Sequence, residues 1–267
     1  LPRDWRSGVT ETWKTAISQI KPNEVRLRGY RIDELMGHVS FAQAIYLALR
    51  GELPSPQVGR LIDAILVSSL DHGVTPPSTQ AARLTTSTGA PLNAAVAVGV
   101  LSINKHHGGA IYDCMGVLQN VIRLSAESRR SLDEVASVLV AEFKAARKKM
   151  AGFGHRVHTH DPRTVRLLAL AEELEVARKG VAAVRALETA FATTGRPLPM
   201  NVDGAIAALL IDLDIPPELA NAFFIMARVP GLVAQVYEEQ IRQPPMRRID
   251  PKESEYDGPE TRGLADG

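Results

Sequence analysis

Apolar segments with the capping residues of helices recur along most of this 267-residue chain. Ser40 can cap a helix over Phe41–Arg50 that ends at Gly51, because serine accepts a backbone hydrogen bond at a helix start and glycine favours a helix end. Residues 131–134 (Ser-Leu-Asp-Glu) form a capping box that opens a helix to about Lys149. No alternating run is long enough to require a sheet. The sequence therefore predicts an all-α fold.

The same signals predict further helices. Residues 91–104 are apolar on almost every side, which favours a helix that is buried on most of its surface. The others have Pro, Gly or Asp at their ends and run over residues 161–177, 180–193, 204–212, 216–227 and 230–242. The tail from Pro244 is proline-rich and is predicted to be extended.

Charge and composition exclude several classes of protein. The formal net charge of +1 gives no field that would attract nucleic acid or a membrane. Aromatic residues make up only 5% of the chain, too few for binding by base stacking. No apolar run approaches the length of a membrane span, and the N-terminus does not resemble a signal peptide. The expected location is the cytoplasm.

The cysteine and histidine content argues against a metal or a disulfide. Cys114 is the single cysteine, so no internal disulfide or cysteine-rich metal site can form. Its apolar neighbours predict a buried side chain with a packing role. None of the seven histidines has the spacing of a zinc site. We therefore expect no metal and no permanently bound cofactor.

The most informative loop is Gly152-Phe153-Gly154-His155. Asp161 suits the N-cap and Pro162 the first position of the helix that follows. His155 and Arg163 would therefore lie close to a helix N-terminus, where an anion is stabilised.

Four loop–helix junctions carry His or Asp beside glycine or proline. They are Asp71-His72-Gly73, Lys105-His106-His107-Gly108, the loop at 152–155, and Asn201-Val202-Asp203-Gly204. Each alone is as well explained by a helix cap or a hydrogen-bonded core histidine. Together, histidine donors and one carboxylate base are what removal of a proton next to a carbonyl requires.

These motifs resemble, in order along residues 28 to 260, those of the citrate synthase superfamily. The matching segments are RGYRIDEL at 28–35, FAQAIYLALRGELP at 41–54, HGGA at 107–110, the block at 152–163, NVD at 201–203, ARVPG at 227–231 and YDGP at 256–259. The resemblance implies a citrate-synthase-like helical fold. It also implies a large helical domain from residues 1–150 and about 204–267, and a small helical domain at about 151–203.

The resemblance also implies roles for individual residues. Asp203 would be the base that removes a proton from acetyl-CoA, His107 would donate a hydrogen bond to the thioester oxygen, and His155 would polarise the ketone of the oxo acid. The residues that would hold carboxylates are His72, Arg163, Arg228, Arg247 and Arg248. The backbone that would line the coenzyme A cleft belongs to Gly108, Gly109, Ala110, Gly152, Phe153 and Gly154.

Coenzyme A thioesters and oxaloacetate or a related oxo acid are thus the expected small-molecule substrates. The family further implies a homodimer, in which the tail at 244–248 of one subunit completes the site of the other.

Two departures from a typical citrate synthase affect the predicted reaction. The chain is much shorter, and it reads Asp-His-Gly at 71–73 where the synthases carry His-Glu-x-Asn. Both features resemble citryl-CoA lyase and the lyase module of ATP-citrate lyase, whereas His107 is a synthase-like donor with His106 beside it. The leading interpretation is cleavage of citryl-CoA to acetyl-CoA and oxaloacetate. The alternatives are a compact synthase that condenses acetyl-CoA with a 2-oxo acid, and a non-catalytic acyl-CoA-binding relative.

Overall fold

Capping residues begin the main helices where the sequence places them. In the computed structural model, which describes residues 13–154, 161–193, 198–248 and 250–263, the Ser40 side chain accepts a hydrogen bond from the backbone of Gln43 at 3.2 Å. The Gln43 side chain accepts one from the backbone of Ser40 at 2.9 Å. Ser131 and Glu134 make the same reciprocal pair. The two predicted helix starts are confirmed.

The described residues are mostly helical, which confirms the all-α prediction. They contain helices α1 (Ile32–Leu35), α2 (Phe41–Arg50), α3 (Pro56–Ser68), α4 (Pro77–Ser87), α5 (Leu92–Leu101), α6 (Ala110–Ser128), α7 (Leu132–Ala145), α8 (Pro162–Glu173), α9 (Lys179–Thr193), α10 (Val202–Asp212) and α11 (Ala220–Arg242).

A small antiparallel sheet precedes the helices, although the sequence indicated none. Its strands are β1 (Ser18–Lys21), β2 (Glu24–Leu27) and β3 (Tyr30–Arg31), in the order β1–β2–β3. Arg28 and Gly29 have φ angles of 50° and 91°, and a type I′ hairpin turn of two residues needs positive φ at both positions. Strands this short hold too few residues for an alternating pattern to be recognised.

Several predicted helix boundaries are wrong; α8, for example, ends at Glu173 rather than at residue 177. α7 ends at Ala145 rather than near Lys149, because Arg147 adopts a φ of 52° and the backbone N–H of Lys148 turns back to the carbonyl of Phe143 at 2.9 Å. α11 runs through Pro230 as one helix, where the sequence suggested two. Proline removes one backbone hydrogen bond and costs about 3 kcal/mol inside a helix. Ala227 and Leu232, on either side of Pro230, are both buried, and their packing opposes this cost.

Backbone packing divides the chain into two units. The first unit is Leu1–Ser69 with Gly108–Ala227, and the second is Leu70–His107 with Arg228–Gly267. These boundaries do not coincide with the predicted large and small domains, and that division stays a prediction.

α10 is the central helix of the first unit. It packs against α6, α8 and α9, and its residues from Gly204 to Leu210 are all buried. At its C-terminal end, Asp212 accepts hydrogen bonds from the backbone N–H groups of Arg178, Gly180 and Val181, at 2.6 to 3.1 Å. Asp212 therefore holds the beginning of α9 against the end of α10.

The second unit has its core between α4, α5 and the part of α11 that follows Arg228. Its buried cluster is formed by Ala82, Ala95, Leu232 and Val236. α5 buries only Ala95 and Gly99, and Leu101 is 74% exposed. In the single chain, the prediction that this helix is buried on most of its sides is therefore wrong.

One helix in the described part of the chain, Pro217–Arg242, is long and apolar enough to cross a membrane, although the sequence suggested no such run. Within its most apolar window, 44% of the helix is buried inside the protein. The buried core helix of a globular protein meets the same criterion, so this finding is weak support for a membrane span. The cytoplasmic location stays a prediction.

Candidate active site

Asp203 lies in the first turn of α10, half-buried at the N-terminal end of an otherwise buried helix. The partial positive charge of a helix N-terminus favours a carboxylate in the first turn. Asn201 is the N-cap, and its side-chain Oδ1 accepts a hydrogen bond from the backbone N–H of Gly204 at 3.2 Å. The structure thus places the predicted base at a fixed and partly accessible position.

The Gly152–Gly154 loop is hydrogen-bonded to the segment that leads into α10. The backbone N–H of Asn201 donates to the carbonyl of Gly152 at 3.0 Å, and its side-chain Nδ2 donates to the carbonyl of Gly154 at 2.9 Å. The backbone N–H of Gly154 donates to the carbonyl of Pro199 at 2.8 Å. Phe153 is buried, and its ring centroid lies 5.0 Å from that of Phe191.

Three small residues pack closely where this loop meets α6 and α10. Gly152 has a φ of 85°, and a Cβ atom added to it would collide with Sγ of Cys114 and lie 2.9 Å from Cα of Gly204. A Cβ atom on Gly204 would collide with the carbonyl oxygen of Gly152. Only glycine satisfies both the backbone angle at 152 and this close approach.

Cys114 is fully buried at this junction, which confirms its predicted packing role. Burial, followed by the negative charges of Asp203 and Asp113, raises the pKa of its thiol far above the ordinary value. The side chain therefore stays a neutral thiol next to the predicted base.

Gly108, Gly109 and Ala110 lead into the same helix, α6, that carries Cys114. Gly108 has a φ of 94° and Gly109 is the N-cap. Cys114 follows Ala110 by about one helical turn. Within the first unit, α6 therefore begins at the 108–110 segment of the predicted coenzyme A cleft. One turn later, Cys114 of the same helix contacts Gly152 of the other predicted segment.

Arg163 is engaged by a neighbouring carboxylate. Its Nη2 lies 2.7 Å from Oδ2 of Asp161, its Nε donates to Oδ1 at 3.0 Å, and Asp161 is 3% exposed. Asp161 also caps α8 as predicted, by accepting from the backbone N–H of Arg163 at 3.0 Å. Arginine carries five N–H donors, so the paired guanidinium is held at a fixed orientation while it retains donors for a carboxylate ligand.

The predicted catalytic residue His155 lies outside the described residues, as do His158 and His160. Among the residues that the structure describes, no group of three His, Cys, Asp or Glu side chains has the arrangement of a metal site.

In the second unit, His107 is held by Ser78 in the first turn of α4. Nε2 of His107 lies 2.8 Å from Oγ of Ser78. Burial, and then the positive charge of Arg228, lower the pKa of His107 below its usual value near 6.5. The ring is therefore neutral at pH 7. If Ser78 donates to Nε2, the ring proton is on Nδ1, which is then a hydrogen-bond donor.

Arg228 is almost completely buried, at 3% exposure, at the start of the second unit. Its charge acts on His107, so the structure brings these two predicted residues close together. His106, by contrast, is exposed. The geometry favours His107 over His106 as the fixed donor.

His72 lies in a turn that is attached to α11. Oδ2 of Asp71 accepts from the backbone N–H of Gly73 at 3.0 Å, and both oxygens of Asp71 accept from the Gln235 side chain at 3.3 and 3.2 Å. A Cβ atom on Gly231 would collide with the carbonyl oxygen of Leu70. This close approach sets the position of the turn that carries His72.

The two arginines of the tail have different surroundings. Arg247 donates to both carboxylate oxygens of Glu239, at 2.8 and 2.6 Å, and Nε of Arg83 donates to the same carboxylate at 2.7 Å. Glu239 is 1% exposed. Arg248 is exposed. Arg247 therefore anchors the tail within its own unit, and Arg248 is the better candidate for a ligand.

Sequence reasoning missed the supporting roles of Ser78, Asn201 and Glu239. Asn201 could have been recognised as an N-cap from its place before an apolar helix. Ser78 follows Pro76 and Pro77 at a helix start, but its contact with His107 spans 29 positions. The contact between Glu239 and Arg83 spans 156 positions, and no local pattern indicates it.

A family model described as the C-terminal domain of citrate synthase matches residues 52–249. The citrate synthase of Haloferax volcanii is 33% identical over 213 residues, which are 78% of this chain and 52% of the relative. The putative citrate synthase 2 of Mycobacterium bovis is 34% identical over 194 residues, which are 70% of this chain and 49% of the relative. The chain thus spans about half the length of the curated relatives that it matches.

Two solved structures are similar over nearly the whole chain. The citryl-CoA lyase from Hydrogenobacter thermophilus is 41% identical, with 96% of this chain and 98% of that chain covered and a TM-score of 0.86. The ATP citrate lyase from Methanosaeta concilii, solved with (3S)-citryl-CoA, is 20% identical, with 94% and 42% covered and a TM-score of 0.77. The second likeness concerns the fold alone.

Proposed function

Since the chain belongs to the citrate synthase family, we propose that it is an enzyme acting on coenzyme A thioesters and that it cleaves citryl-CoA to acetyl-CoA and oxaloacetate. The observation that carries the choice of reaction is the 41% identity to a citryl-CoA lyase that covers 98% of that protein. The matched synthases are about twice as long as the matched region.

Cleavage begins at the tertiary hydroxyl of citryl-CoA. As the hydroxyl loses its proton, the bond between its carbon and the methylene carbon of the thioester arm breaks, and oxaloacetate leaves as a ketone. The electron pair moves to the thioester arm and forms the enolate of acetyl-CoA. Such an enolate is high in energy, so it needs fixed hydrogen-bond donors in a site with little water. By the family resemblance, His155 accepts the hydroxyl proton.

His107 is the proposed donor to the enolate oxygen. A neutral imidazole can donate a hydrogen bond to the enolate oxygen and keep its proton. The lowered pKa of His107 supports the neutral state. If the Ser78 hydroxyl donates to Nε2 across their 2.8 Å contact, Nδ1 carries the proton that is offered to the enolate oxygen. A His107→Ala variant should lose most cleavage activity, whereas His106→Ala, its exposed neighbour, should retain it. Equal losses in both variants would contradict the assignment.

Asp203 is the proposed acid that returns a proton to the enolate carbon, and its carboxylate is the base in the reverse direction. Its place in the first turn of α10 supports this role. His72, Arg163, Arg228 and Arg248 are proposed to bind substrate carboxylates, since arginine can pair with a carboxylate through two N–H groups. Coenzyme A is a substrate here, bound along Gly108–Ala110 and Gly152–Gly154, and no permanent cofactor is proposed.

A synthase is the second candidate, because the curated relatives are named citrate synthase and His107 is the donor of a synthase-like site. A synthase must also admit water to hydrolyse the citryl thioester, whereas a lyase must not. The test is the ratio of products from citryl-CoA. Acetyl-CoA with oxaloacetate would support the lyase, and citrate with free coenzyme A would overturn it in favour of the synthase.

A homodimer is also proposed, as the family resemblance implies. α5 is apolar on almost every side, and its residues Leu92 and Leu101 are 43% and 74% exposed, which is typical of a face covered by a second subunit. A Leu101→Glu variant should shift the mass measured by light scattering from dimer towards monomer. A wild-type protein that is monomeric at micromolar concentration and fully active would contradict the proposal.

A further inference from the structure

Asn201 makes hydrogen bonds to two separate elements through one side chain. Its Oδ1 accepts from Gly204 in α10, and its Nδ2 donates to Gly154 in the preceding loop. Its backbone N–H also donates to Gly152. All of these contacts lie within the first unit. They surround the helix turn that carries Asp203.

Helix capping alone does not explain an asparagine at this position. Serine, threonine and aspartate also accept the hydrogen bond of an N-cap. Only an amide combines that acceptor with an N–H donor on a side chain of this length. The donor is used on the carbonyl of Gly154, a bond that contributes nothing to the cap of α10.

The packing of the glycines does not replace this bond. The close approach of Gly152 to Gly204 limits how near the loop comes to α10. Van der Waals contact has little directional preference, whereas hydrogen bonds depend steeply on angle. Two backbone hydrogen bonds hold the loop to residues 199–201, and the Asn201 amide is the directional contact that joins it to the first turn of the helix.

We propose that Asn201 is a positioning residue for Asp203: its amide fixes the first turn of α10 relative to the Gly152–Gly154 loop. This inference rests on the proposed function, in which Asp203 exchanges a proton with the substrate carbon. A displacement of about 1 Å can lower turnover by about 100-fold. The effect of Asn201 should therefore be larger on turnover than on KM, because two backbone hydrogen bonds still hold the Gly152–Gly154 loop of the proposed coenzyme A cleft.

The main test compares Asn201→Ser with Ser131→Ala in the full-length protein. Serine keeps an N-cap acceptor but does not reach Gly154, so kcat for citryl-CoA cleavage should fall by about 10- to 100-fold while KM changes by less than about threefold. Ser131→Ala removes the cap of α7 in the same unit. It should lower Tm by about 2–4 °C and leave kcat unchanged.

Asn201→Thr provides a second variant that keeps an uncharged N-cap acceptor and, like serine, has no N–H donor to reach Gly154. It should also lower kcat, and it decides the matter if Asn201→Ser does not fold. Wild-type kcat in either variant, or a loss that matches the unfolded fraction, would overturn the inference. The wild type measured in parallel reports on the proposed function separately, because an inactive wild type overturns that function before any variant is considered.

Discussion

The Gly152 loop and the Arg247 tail are held in place by opposite kinds of interaction. At Gly152, the contacts are between uncharged groups: glycine backbone, a buried thiol and the amide of Asn201. At Arg247, a buried carboxylate, that of Glu239, is shared by two guanidinium groups. The first arrangement depends on volume and backbone angle, whereas the second depends on charge.

This difference matters because the loop lies beside a proposed acid–base residue. A charged neighbour favours one protonation state of an acid–base group over the other. Uncharged packing and amide hydrogen bonds fix its position with less effect on its charge. The tail carries no proposed proton-transfer group, so a strong ion network can anchor it without this consequence.

The largest expected effect is on turnover, and it tests whether the loop region is catalytic at all. Asp203→Asn should lower kcat by about 10³-fold or more, because an amide cannot exchange the proton, while coenzyme A binding persists. Asp113→Asn changes another first-turn aspartate of the same unit and should leave kcat nearly unchanged. Near-wild-type turnover in Asp203→Asn would show that Asp203 does not exchange the proton and that the loop beside it does not position a catalytic group.

The next effect tests the ion network. Glu239→Gln leaves the buried guanidinium of Arg83 with only the more exposed Glu238 as counter-charge and should lower the free energy of unfolding by about 3 kcal/mol, the lower end for a broken buried pair, in chemical denaturation at pH 7. Glu127→Gln breaks an exposed pair with Arg123 and should cost less than about 0.5 kcal/mol. Equal effects in these two variants would show that burial of the network contributes little.

The same variant has a defined pH dependence. Burial raises the pKa of Glu239, but the hydrogen bonds and charges of Arg247 and Arg83 outweigh this and leave it below its ordinary value near 4.5. A lowered pKa contributes stability that is present above about 4.5 and is lost as the pH falls through the folded-state pKa. The difference in stability between wild type and Glu239→Gln should therefore narrow below about pH 4.5.

The smallest of these effects tests the uncharged packing at the loop. Gly152→Ala adds a Cβ atom where φ is 85° and Cys114 is in contact, so the free energy of unfolding should fall by about 2–3 kcal/mol. Gly116→Ala, in α6 with nothing within 4 Å, should stabilise by about 0.5–1 kcal/mol. The loss in Gly152→Ala should stay constant between pH 4 and pH 7, unlike that in Glu239→Gln. A pH-dependent loss would break the distinction between the two regions.

Much of the helical framework could be predicted because its signals are local. The Ser40 and Ser131 caps act over three residues, and Asp161 caps α8 over two. The misses were of a different kind. Pro230 favours a helix end by itself, yet α11 continues through it into the core that contains Leu232.

In the candidate site, too, some residues could be predicted from local sequence and others only from the tertiary structure. Residue types and their order indicated Asp203, His107 and the glycines, because acid–base chemistry and close backbone approach need particular side chains. The sequence left open which tail arginine could meet a ligand. Glu239 holds Arg247, eight positions further along the chain, so Arg248 is the tail arginine that is proposed to bind a ligand.

By itself, the sequence determined the helical class, the main helix starts and the family, because capping, glycine angles and motif order act over a few residues. Only the tertiary structure decided that Asn201 joins Gly154 to Gly204 and that Ser78 orients His107. The bond between Ser78 and His107 spans 29 positions, and the bond between Asn201 and Gly154 spans 47. Hydrogen bonds are short and directional, so such contacts exist only once the core has set the distance between the elements that carry them.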